Sequence, residues 1–85
     1  MNNLIKTKTA VNSGLHLFPN PSKNIVQIKS NTKINKITVF DSLVKVILIQ
    51  TQNNNEIDVE NLSKGIYLIE VFSENEKKYR KFIKE

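Results

Sequence analysis

Nothing in this chain keeps a helical period: its apolar residues come in short runs rich in Ile and Val, separated by Asn, Ser, Lys and Gly. Punctuation at intervals of about eight to twelve residues is the pattern of an all-β domain. Seven strands are predicted: Leu15 to Phe18, Ile25 to Lys29, Lys36 to Phe40, Lys45 to Thr51, Glu56 to Asp58, Gly65 to Phe72 and Lys78 to Lys84. That number of short strands favours an immunoglobulin-like β-sandwich of antiparallel strands.

Alternation along a strand assigns faces, because successive side chains point to opposite sides. Val26 and Ile28 share a face against Gln27 and Lys29, and Ile57 and Val59 share one against Glu56, Asp58 and Glu60. Both segments read as half-buried strands. "KVILIQT" and "GIYLIEVF" are apolar on both parities, which predicts strands central in a sheet or covered on both sides. The final "KKYRKFIKE" puts Tyr79 and Ile83 on one parity and Phe82 on the other, and its positive charges suit a protected edge strand.

Both prolines of the chain flank one asparagine in "LFPNPS". Each fixes its own φ and lacks a donor, and Pro21 pushes Asn20 toward extended backbone, so Leu17 to Ser22 is predicted as a stiff turn that is neither helix nor central strand. Further along, "LSKGIY" spaces Leu62, Gly65 and Tyr67 as in a tyrosine corner. There the phenol reaches back to an upstream backbone group, Leu62 enters the core and Gly65 supplies a permissive backbone.

With 85 residues and no cysteine, the chain forms one small domain without disulfides, thiolate metal sites or Cys nucleophiles. Its net charge of +5 is uneven, since six lysines precede Asp41 and the remainder holds seven bases against eight acids. Those six lysines are scattered, with no arginine or interleaved aromatics among them, so they read as a solvated surface and no nucleic-acid partner is expected. No apolar run approaches the length of a membrane span, and the first residues lack the apolar stretch of a signal peptide. If such a domain is exported, a signal farther upstream must carry it, and the sequence then reads as the tail of a longer protein or a fragment of one.

Catalytic chemistry finds little footing. His16 is the only histidine, the serines lie in no nucleophile elbow, and the two glycines make no phosphate loop. The acids of "NNNEIDVENL" lie on one strand face, an alternation that needs no metal, and the spacing of a calcium loop is missing. Neither an enzyme nor a cofactor or metal site is expected.

Read in order, "LFPNPSKN", "ITVFDSLVKVI", "LSKGIYLIEV" and "YRKFIK" resemble the C-terminal sorting domain, type A, of the type IX secretion system of Bacteroidetes, over residues 15 to 85. The resemblance implies a seven-stranded sandwich that follows an upstream cargo in the same chain. It further implies that an outer-membrane translocon recognises the domain and that a sortase-like cysteine peptidase removes it. Delivery runs through the periplasm and outer membrane to the cell surface or the medium. Residues 1–14 are then a flexible linker or upstream remnant. By matching motif positions, Pro19, Asn20 and Pro21 form the opening turn, Asp41 and Lys45 flank a hairpin, Gly65 and Tyr67 make the corner, and Lys81, Phe82, Ile83 and Lys84 form the C-terminal element, which edge pairing suits for recognition.

The family's short turn usually ends in glycine, where this chain has Val44 in "DSLVK". A requirement for positive φ there would strain a β-branched residue. Two other readings remain open from the residues: an immunoglobulin-like binding module of the cell surface, or a protein that associates weakly with itself through sheet edges. The absence of Trp and the small number of aromatics disfavour a sugar-binding platform.

Overall fold

The computed structural model describes residues 14–85. The strands are β1 (Leu15–Phe18), β2 (Ile25–Ser30), β3 (Lys36–Phe40), β4 (Val46–Gln50), β5 (Glu56–Asp58), β6 (Gly65–Ser73) and β7 (Glu76–Lys84). They agree with the predicted segments to within a residue or two, the usual uncertainty at element ends. All pairings between them are antiparallel. Among the described residues no helix is long and apolar enough to cross a membrane. The linker expected over residues 1–14 lies outside the described residues apart from Gly14.

β1, β2 and β5 form a three-stranded sheet in the order β1-β2-β5, and the others form a four-stranded sheet in the order β4-β3-β6-β7. This is the partition of an immunoglobulin-like sandwich. Alternation brings Leu15, Val26, Ile28, Ile57 and Val59 inward from the first sheet, against Ile37, Val39, Tyr67, Ile69, Val71 and Phe82 from the second. Each such side chain stabilises the fold by about 1.5–3 kcal/mol on burial, and together they make one continuous core.

One expectation fails. β4 is not central: among the described residues it pairs with β3 alone and forms an edge of its sheet, with Val46, Ile47 and Ile49 exposed. Leu48 packs on the core while Ile47 and Ile49 stand on the opposite, outer face. Apolar residues on both parities here mean a core face plus an apolar outer face, a distinction that hydropathy alone does not make. β6, by contrast, is central as expected, between β3 and β7.

Candidate functional site

The two ends of the described chain meet along the outer edge of β7. Every second residue of an edge strand turns its N–H and C=O away from the sheet, and on β7 these include Lys81, Ile83 and then Glu85. The proline turn occupies them. Asn20 Nδ2 donates to the Lys81 carbonyl at 2.9 Å, and the Ile83 N–H donates to Asn20 Oδ1 at 3.1 Å. A side-chain amide thus takes the place of a strand residue. Flanking prolines, which carry no donors of their own, hold it there. Ser22 continues the pairing through its backbone: its N–H donates to the Ile83 carbonyl at 3.1 Å, and Glu85 N–H donates to its carbonyl at 2.9 Å. Its hydroxyl donates to the Ile25 carbonyl at 3.0 Å, fixing the start of β2.

Beneath this latch lies the corner. Tyr67 Oη donates to the Ser63 carbonyl at 2.6 Å, and Leu62 packs against the core. Gly65 sits at φ 150°, a conformation that L side chains rarely adopt, while a Cβ there would meet nothing within 4 Å. Its requirement is therefore conformational rather than steric. In register, Gly65 faces Lys84 and Tyr67 faces Phe82, the two rings lying 6.4 Å apart. Phe82 is fully buried. Lys84 is buried as well, its ammonium donating to the Leu62 carbonyl at 2.9 Å and the Glu60 carbonyl at 3.4 Å. Of the C-terminal element, then, Lys81 and Ile83 present side chains outward, whereas Phe82 and Lys84 hold the fold together.

The β3–β4 hairpin leaves from the same end of the sheet, since Phe40, Leu68 and Lys81 lie in one row. Asp41 and Lys45 bracket a three-residue loop: Val44 N–H donates to the Asp41 carbonyl at 3.0 Å, and Asp41 N–H to the Lys45 carbonyl at 2.9 Å. Asp41 Oδ1 accepts from the N–H groups of Leu43 and Lys45, both at 2.9 Å. A loop of this kind ends in a left-handed residue. Val44 occupies that position at φ 63°, so a conformation that favours glycine is held by a β-branched side chain that is 71% exposed. Folding brings all the sequence-predicted residues to one end of the sandwich, with Asp41 and Lys45 at the far side of its width from the latch.

Sequence reasoning missed three features. Ser22 gives no sign of its pairing, because its partners lie at the other end of the chain. At the far turn, Glu74 and Asn75 sit at φ 51° and 65° between the paired Ser73 and Glu76, a two-residue hairpin of the primed type; only Asn75 signals it. On the outer face of the four-stranded sheet, Tyr79 Oη donates to Glu70 Oε2 at 2.8 Å. That hydrogen bond, then burial and the nearby negative charge, raise the Tyr79 phenol above its ordinary value. Apolar residues on both parities of β6 were the available sign of a second apolar face.

The family model described as a secretion system C-terminal sorting domain matches residues 16–85. No curated protein matches the chain.

Proposed function

The chain belongs to the secretion system C-terminal sorting domain family, and from that premise we propose that the outer-membrane translocon reads its folded body and that a sortase-like cysteine peptidase severs it from the cargo upstream of Leu15. A domain of this family is a cargo tag. It is the sorting signal of type IX secretion and marks the protein that carries it for the cell surface or the medium. The domain itself carries out no chemistry in this reading and serves as the peptidase's substrate. In keeping with this, its single histidine, His16, is exposed and faces Lys29 across the ladder rather than a carboxylate.

Recognition of a folded body is supported by the latch: Asn20 and Ser22 meet Lys81, Ile83 and Glu85 only after folding, across more than sixty residues of chain. The position of the cut is supported by the same pairing. A peptidase cleft takes an extended, unpaired segment, whereas Leu15 to Phe18 is laddered against β2 and Asn20 to Ser22 is bound to β7.

A reporter carrying a signal peptide and ending in residues 1–85 tests both parts in a host with type IX secretion. Surface delivery of the intact fusion, with retention in a translocon-deficient strain, is expected. Mass spectrometry of the delivered reporter should place its new C-terminus before residue 15. Delivery without the translocon would overturn the recognition reading, and a cut within residues 15–85 would overturn the placement.

A further inference from the structure

We propose that the outer face of the four-stranded sheet is the surface by which the secretion machinery holds this domain, and that the partner offers an apolar patch rimmed with carboxylates; this rests on the sorting reading above. The outward face of an antiparallel sheet is ordinarily polar. Here Ile47, Ile49, Ile66 and Ile83 are 39–58% exposed, with Phe40 and Leu68 half-buried among them and Phe72 half-buried on the other side of the row of Thr38, Glu70 and Tyr79. An exposed cluster of isoleucines on a sheet's outer face marks an interaction site.

Exposed charge on the same face has one sign. Lys36 and Lys77 flank Phe72 in one row, and Lys81 stands beside Leu68 in another. Among the described residues the one carboxylate of these strands on this face, Glu70, is buried and already accepts from Tyr79. A partner therefore meets lysines around isoleucines, the arrangement that an apolar centre with an acidic rim complements. The opposite outer face differs: in the three-stranded sheet Glu56 and Asp58 share it with His16 and Lys29.

Two observations narrow the occupant. The backbone edge from Lys81 to Glu85 is filled by Asn20 and Ser22, so a partner at this strand reads side chains. At the centre of the face Thr38 and Glu70 are buried, with the half-exposed Tyr79 beside them. Acyl chains would take water from the half-exposed Tyr79 hydroxyl and from the remaining acceptor positions of the Glu70 carboxylate, which a protein surface need not do. A second copy laid face to face would oppose lysine to lysine.

The reporter fusion supplies the test, with four pairs of substitutions. Ile49→Ser with Ile66→Ser, and Lys77→Glu with Lys81→Glu, are each expected to lower surface delivery by about tenfold at an unchanged melting temperature. Lys77→Arg with Lys81→Arg should keep delivery, and so should Ile25→Ser with Lys29→Glu on the opposite face. Folded variants of the first two pairs delivered as well as the parent would overturn the inference while leaving the sorting function intact. An undelivered parent fusion would instead overturn the sorting reading and this inference with it. Purified domain gives two further outcomes: a dimer abolished by Ile49→Ser with Ile66→Ser, or flotation with phosphatidylglycerol vesicles lost in the same variant, assigns the face to another occupant and overturns the proposal.

Discussion

Val44 holds a left-handed backbone at φ 63° with a side chain that is 71% exposed, so it carries conformational strain without the packing that would offset it. A β-branched residue in that region costs about 1–3 kcal/mol, against about 0.5–1 kcal/mol for the extra freedom glycine has when unfolded. Val44→Gly is therefore expected to stabilise the domain by about 1 kcal/mol, raising its melting temperature by several degrees; a fall would mean that Val44 is packed after all. This site was legible as a departure, because "DSLVK" lacks the glycine its turn calls for. Tyr67 was legible too, from its distance to Leu62 and Gly65, and Tyr67→Phe should cost about 1 kcal/mol in a denaturant melt by leaving the Ser63 carbonyl without its donor. Tyr79 was not, since its partner Glu70 is a cross-strand neighbour. Its phenol is held above the ordinary value by that carboxylate. A raised phenol favours the protonated, folded form, so its contribution is complete below the unfolded value near pH 10 and disappears as pH rises through the higher folded value. Spectrophotometric titration should show Tyr79 ionising late, and Glu70→Gln should bring it back toward normal.

At the scale of elements, the proline turn behaves as a detached fragment of strand that closes the sheet. An edge strand with free N–H and C=O groups invites pairing with other chains, and here Asn20 and Ser22 close the edge from Lys81 to Glu85. Asn20→Ala removes both side-chain bonds and is expected to cost about 1–2 kcal/mol. Asn20→Asp is the sharper test, since a carboxylate still accepts from Ile83 N–H but opposes the Lys81 carbonyl with a second acceptor. It should destabilise at least as much as alanine, and hydrogen exchange at Ile83 should remain slower than in the alanine variant. Equal exchange in both would deny the bond to Ile83. Sequence reasoning reached the stiffness of this turn from Pro19 and Pro21, because proline acts locally. It missed the target, because a hydrogen bond from Asn20 to Lys81 spans sixty-one positions and leaves no periodic trace. β4 shows the same limit from the other side. Its alternation is readable, yet whether a second apolar face is covered depends on what the fold brings next to it, and among the described residues nothing pairs beyond β4.

Taken as a whole molecule, a disulfide-free domain of this size depends on its core, and the C-terminal strand supplies an indispensable part of it. β7 pairs with β6 along its full length, puts Phe82 at 0% exposure against Tyr67, and anchors Lys84 to the carbonyls that follow β5. Truncating an aromatic in such a place costs about 3–5 kcal/mol, when the total for a domain is only about 5–15 kcal/mol. Phe82→Ala is expected to leave the domain wholly or largely unfolded, seen as loss of the cooperative urea transition, and deletion of Tyr79–Glu85 should do the same. Failed export of that truncated fusion would therefore report unfolding as readily as a lost contact. Lys81→Ala separates the two, because its side chain is exposed and makes no core contact. It should melt within about 0.5 kcal/mol of the parent, and a delivery defect at that stability would locate recognition on the surface of the strand. If export instead falls only in step with unfolded fraction across a series including Phe82→Ala, Tyr67→Phe and Asn20→Ala, the translocon senses foldedness, and the outward side chains of β7 carry no address.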